Sequence, residues 1–188
     1  MKKNNLKLFY FIISFLVSFE AISEDFFGFE IYEDAKNYIS KSFIDNNKFK
    51  NAETKKGFYD IFVTDKMPQE NKSPYFETYR LILDDNDKIH SIVVSQKYKN
   101  IDENGMEICK SVADSIKTNI ENKFNIVLSP EKSSFASWRR ESLYGYRDNG
   151  IYVSINCNHY YEDGGVSMWL YMDTPEITSA TKEFYNSL

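Results

Sequence analysis

The 188-residue chain predicts an α+β fold, antiparallel sheet with packed helices, held by one disulfide. Three observations predict it. Six short runs rich in β-branched and aromatic residues are separated by turn-forming clusters. Three other stretches carry apolar residues at helical spacing. Two cysteines, Cys109 and Cys157, fall one on a helical stripe and one on a strand, each on the side the pattern buries.

The chain opens with Lys2, Lys3 and Lys7, an apolar run from Leu8 to Phe19, and the small-x-small site Ala21-Ile22-Ser23. These are the three parts of a secretory signal. A membrane-spanning helix needs about 20 apolar residues, and Glu20 closes this run well short of that. Residues 1–23 are therefore expected to be a cleavable signal peptide, and 24–188 a single α+β domain, secreted or periplasmic. No Cys stands at the cleavage point to carry a lipid, so no membrane attachment is expected once the leader is gone.

The first helix is expected over Glu33 to Ile44, from Ala35, Tyr38, Ile39, Ser42 and Phe43, with Asp45-Asn46-Asn47 ending it. Phe58 to Val63 reads as a strand. Tyr75 to Leu83 and Ile89 to Tyr98 read as a hairpin across Asp84-Asp85-Asn86-Asp87-Lys88. That acidic loop fails as an EF-hand. Counted from Asp84, Lys88 falls at the fifth position, Ile89 where glycine is required, and Ser95 where the bidentate Glu belongs. A solvated turn fits better. Asn71-Lys72-Ser73 matches a glycosylation sequon, but Pro74 follows and the match is given no weight.

Glu107 to Phe124 carries the clearest stripe: Cys109, Val112, Ala113, Ile116, Ile120 and Phe124. Three strands follow, Trp138 to Arg147, Ile151 to Tyr161 and Val166 to Met172. They are joined by Asp148-Asn149-Gly150 and Glu162-Asp163-Gly164-Gly165. Asp173-Thr174-Pro175 introduces a last helix with Ile177, Ala180, Thr181, Phe184 and Leu188 inward. The order is that of two αβββ units in tandem, although no sequence repeat links the halves.

Alternation sorts the last three strands into faces if both turns keep even register. One face holds Ile151, Val153, Ile155, Cys157, His159 and Tyr161, with Val166, Met168, Leu170 and Met172 beside them and Tyr144 and Tyr146 on the other flank. A Cys109–Cys157 bridge from helix to sheet follows, as export would allow. The opposite face holds Tyr152, Ser154, Asn156, Asn158 and Tyr160, flanked by Trp169 and Tyr171 and by Arg139, Glu141 and Arg147. Tyr, Trp, Asn and Arg together are what binding surfaces are enriched in. Tyr152, Asn156, Asn158, Tyr160, Trp169, Tyr171, Arg139 and Arg147 are the candidate binding residues.

The net charge of −5 argues against nucleic-acid binding, which depends on phosphate neutralisation by Lys and Arg. The two histidines, His90 and His159, accompany no Gly-x-Ser-x-Gly elbow, and a bridge would occupy the Cys157 thiol. Cys157, His159, Met168 and Met172 would suit copper, but a bridged cysteine and core methionines are the simpler reading. No glycine loop for phosphate and no nucleotide fingerprint is present, and no cofactor is expected. The expectation is a non-catalytic binding protein of inhibitor or immunity type, its partner another secreted or periplasmic protein. The alternative is an envelope or secreted hydrolase working through carboxylates that sequence reading cannot pick out.

Overall fold

The computed structural model describes residues 25–50, 57–98, 103–162 and 165–186; the leader and its cleavage site lie outside them. β1 (Phe58–Phe62), β2 (Thr78–Asp84) and β3 (Ile89–Tyr98) form one meander. β4 (Ser129–Ser134), β5 (Trp138–Tyr146), β6 (Tyr152–Tyr160) and β7 (Val166–Asp173) form a second. β3 pairs antiparallel with β7, so the described strands make one sheet in the order β1-β2-β3-β7-β6-β5-β4. The helices are α1 (Lys41–Asn47), α2 (Glu103–Phe124) and α3 (Pro175–Asn186).

The α+β class, the antiparallel sheet and the bridge agree with the sequence reading. The tandem αβββ order does not, because the second meander has four strands. The unexpected one is β4, whose sequence Ser-Pro-Glu-Lys-Ser-Ser has no apolar alternation. It is a sheet edge, and its Pro130 and Lys132 are the residues that keep edges from pairing with other chains. The expected helix over Glu33 to Ile44 is also broken. Asp34 and Ser40 both take extended backbone, Asp34 capping a single 3₁₀ turn at Ala35–Asn37 and Ser40 capping α1. Short polar side chains at such positions stabilise helix starts rather than interiors.

The inner face of the sheet carries the core. Cys109, Ala113, Ile116, Ile120 and Phe124 of α2 are buried with Val153, Ile155, Met168 and Leu170. Phe26, Phe29, Ile31, Ala35, Ile39 and Ile44 join the same cluster, and the Phe26 ring meets Phe124 edge-on at 5.5 Å. The N-terminal segment and α2 thus share this face. Cys109 and Cys157, buried and bridged with Cα atoms 5.9 Å apart, staple α2 to β6.

The β2–β3 turn is held by Asp84, whose Oδ1 accepts from the backbone of Asn86 at 2.8 Å and Lys88 at 2.9 Å. Ile82 pairs with Ser91 and Leu83 with Ile89, leaving His90 as a bulge residue. Buried Asp87 takes an ion pair from Lys41 at 2.7 Å, which ties α1 to this turn.

One face assignment is corrected. Tyr146 pairs with Tyr152, Tyr144 with Ser154, Glu141 with Cys157 and Arg139 with His159. The Gly150 N–H donates to Arg147 O at 2.8 Å, and the Arg147 N–H donates to Ile151 O at 2.9 Å. Gly150 has φ +82°, the left-handed residue of a bulged turn one residue longer than a two-residue hairpin. One residue of slip sends every β5 side chain to the other face. Tyr144 and Tyr146 therefore lie outward. Arg139, Glu141 and Arg147 lie on the inner side, where Glu141 pairs with Lys110 of α2 at 3.2 Å and the Arg147 guanidinium sits 5.7 Å over the Phe124 ring. Gly145 also faces inward, and a Cβ there would stand 2.6 Å from Val127 O.

Candidate binding cleft

The outer face is a grid set by the strand register. One row crosses the sheet as Ser91, Asp173, Tyr152 and Tyr146. The next runs Arg80, Val93, Tyr171, Ser154 and Tyr144. A third runs Ser95, Trp169, Asn156, Ser142 and Glu131, and a fourth holds Ser167, Asn158 and Arg140. Small serines between large rings lower the floor. The helix α3 packs Ile177 on Ile82 and Val93, with Trp169 and Tyr171 alongside, and so covers the β2–β3–β7 side. What remains between α3 and the β5 side is a cleft of about 500 Å³.

Its floor is Ser154, Asn156 and Asp173; Tyr144, Tyr146 and Tyr152 rise on one side, and Ile177, Thr178, Thr181 and Lys182 of α3 on the other. The three tyrosine rings pack together, with centroids 5.2 Å apart for Tyr146 and Tyr152 and 6.2 Å for Tyr144 and Tyr152. Trp169 and Tyr171 stack at 6.1 Å. The Arg80 guanidinium lies 5.8 Å from the indole centroid and closes an ion pair with wholly buried Asp60 at 3.0 Å. At the far end Arg140 lies 4.6 Å over the Trp138 ring, and its Nε donates to Asn158 Oδ1 at 2.9 Å.

Of the eight candidate binding residues, Tyr152, Asn156 and Tyr171 line the cleft. Trp169 is half-buried beside it, its indole N–H donating to Ser167 Oγ at 2.8 Å. Asn158 holds Arg140 in place. Tyr160 lies beyond, opposite Trp138, beside an exposed Phe135 stacked on that indole at 4.2 Å. Arg139 and Arg147 are on the other side of the sheet. Sequence reasoning missed Arg80, Tyr144, Tyr146 and Asp173. The i, i+2 spacing of Tyr144 and Tyr146 was visible, but only the turn geometry says which way they point.

Asp173 is the electrostatic feature of the cleft. Burial pushes its carboxyl up to about 6, against the opposing pull of the Ser91 hydroxyl, which donates to it, and of the Arg80 charge. A carboxyl raised in the folded state supports the fold at low pH and loses that contribution as pH climbs through its folded value. At about 1.4 kcal/mol per pH unit, ionising Asp173 costs the fold on the order of 2 to 3 kcal/mol by pH 7. Asp173→Asn keeps an acceptor for Ser91 and cannot ionise. Urea unfolding should find it more stable than the parent at pH 7 and no more stable at pH 4; an equal difference at both would show that Asp173 carries no such penalty.

A second cluster resembles a nucleophile with its base. His90 Nδ1 lies 3.1 Å from Thr174 Oγ1 and its Nε2 3.5 Å from Asp84 Oδ2. Thr174 is wholly buried and is not part of the cleft lining. With the Thr174 N–H donating to His90 O at 2.9 Å, the cluster anchors the start of α3. The thiol that a Cys–His hydrolase or a copper site would use is in the bridge. No family model matches this chain, and the search of curated proteins finds no match.

Proposed function

We propose that this protein is a binding protein without catalytic activity, and that its ligand enters the outer-face cleft between α3 and the tyrosines of β5. The carrying observation is the cleft's construction: a floor of Asn and Ser beneath aromatic walls, at a volume typical of ligand sites. A protein partner of ordinary size would cover about 800 Å² on each side, so a concavity of this kind favours a small ligand or a single inserted segment over a broad flat contact. An exported location belongs to the same reading. The apolar leader supports it, as does the bridge, since disulfides persist in oxidising compartments.

One observation favours the hydrolase reading: a carboxyl raised toward 6 in an aromatic cleft is suited to general-acid work. Among the described residues, the cleft lining holds no second carboxylate at working distance. The other carboxylate there, Glu131, is three strands away and four residues along the register. At about 4.8 Å per strand and 3.4 Å per residue, their Cα atoms are about 20 Å apart. Acid–base pairs of glycosidases span about 5 to 9.5 Å.

Thermal-shift screening of the purified protein against size-fractionated extract of its native cells tests the proposal. A fraction that raises the melting temperature of the parent should leave the Tyr144→Ala/Tyr146→Ala double variant unshifted. Tyr146 is 57% exposed, so the ligand-free variant should melt close to the parent. Equal shifts for both proteins, or turnover of ester or glycoside substrates abolished by Asp173→Asn, would overturn it.

A further inference from the structure

Three successive outward residues of β6, Tyr152, Ser154 and Asn156, line the cleft. Asn156 Nδ2 donates to Ser154 Oγ at 3.4 Å. The other end of that amide is Asn156 Oδ1. It is buried, on a residue only 5% exposed, and has no hydrogen-bond partner among the described residues. A buried acceptor left unpaired costs roughly 1 to 3 kcal/mol. A ligand bringing a donor to that oxygen removes the cost.

Most charges around the cleft are engaged or sit at its rim, although the buried Arg80 Nε has no hydrogen-bond partner among the described residues. Arg80 is held by Asp60, Arg140 by Asn158 and the Trp138 ring, and Asp173 by Ser91. Glu131 and Lys182 are exposed and opposite in sign. Between these paired charges the cleft offers neutral groups: an amide, Ser154 and tyrosine hydroxyls, which accept as well as donate. The β6 residues that line the cleft run from Tyr152 to Asn156, about 14 Å at strand rise.

An extended peptide gains its affinity in such grooves by pairing main chain with a free strand edge. This cleft opens on a face, where the flanking strands use the main-chain groups of β6 and β7. Side chains alone are on offer. A ligand whose own groups both donate and accept, with flat C–H faces to lie on tyrosine rings and no net charge, matches that offer.

Building on the reading of the cleft as the ligand site, we infer that it takes an uncharged oligosaccharide, one hydroxyl of which donates to Asn156 Oδ1. Calorimetric titration with chitotetraose, cellotetraose, maltotetraose and mannotetraose tests this, run beside tetragalacturonate and an acetylated, amidated neutral hexapeptide. At least one neutral tetrasaccharide should bind. Asn156→Leu should weaken it about tenfold, the value of one hydrogen bond to a buried acceptor, with the melting temperature as the check on folding. Asn156→Asp, which keeps the acceptor, should retain binding. No binding of any neutral tetrasaccharide, or binding indifferent to Asn156→Leu, overturns the inference. Preference for the anion or the peptide, abolished by Tyr144→Ala/Tyr146→Ala, overturns the sugar and leaves the cleft standing. Ligands indifferent to that double variant overturn both.

Discussion

Replacing Cys109 and Cys157 together with alanine should lower unfolding stability by about 4 kcal/mol. The bridge closes a sequence separation of 48 residues, and on the chain-entropy relation a loop of that length constrains the unfolded state by about 4 kcal/mol. Its place in the fold gives the loss a structural meaning. Between the two cysteines lie most of α2, all of β4 and β5, and the first half of β6. Without the bridge, α2 is held to the sheet by its apolar stripe, Met106, Ala113, Ile116, Ile120 and Phe124, and by the Lys110–Glu141 ion pair. Urea unfolding of the oxidised parent and the double variant checks this. A difference under about 1 kcal/mol would mean that the apolar stripe alone docks α2 and that the unfolded chain is already compact. Because Cys157 lies between Asn156 and Asn158, slack in β6 should also loosen the cleft floor on the opposite face.

The second large effect belongs to Arg80. Arg80→Met should cost about 3 to 5 kcal/mol, the usual result of removing one member of a buried ion pair. Asp60 is wholly buried, whereas the Arg80 side chain keeps 16% of its surface open. The two single variants should therefore differ. After Asp60→Asn the guanidinium can turn toward the cleft and water, and the cost should be smaller. After Arg80→Met the carboxylate has no such exit. The double variant Asp60→Leu/Arg80→Met should recover much of the loss, since matched apolar replacements of buried pairs are often near neutral. Additive losses in urea unfolding would mean that the pair is not coupled as its 3.0 Å contact implies.

Much of this was legible in the sequence where alternation and turn chemistry agreed. β6 and β7 sort correctly because Val153, Ile155 and Cys157 alternate with Ser154, Asn156 and Asn158. Pairing of Cys157 with Met168 preserves that parity, and the bridge follows from it. The failures have physical causes. Asn149-Gly150 promises a two-residue turn, yet the chain uses Gly150 at φ +82° as a bulge, and that single residue inverted β5. β4 is an exposed edge with no face to bury, so no pattern marks it. Asp173 reads as a turn residue before Pro175; its consequence comes from Ser91 and Arg80, distant in sequence and brought near by β3 and β2. The cleft itself depends on α3 covering only part of the outer face, which depends on Ile177 meeting Ile82 and Val93.

Ligand entry between α3 and the tyrosines of β5 is the central claim. Intermolecular nuclear Overhauser effects from a bound ligand to the protein test it most directly. Contacts are expected to the ring protons of Tyr144, Tyr146 and Tyr171 and to the Asn156 side-chain amide. Contacts confined to the outer surface of α2, around Lys110 and Lys117, would contradict it.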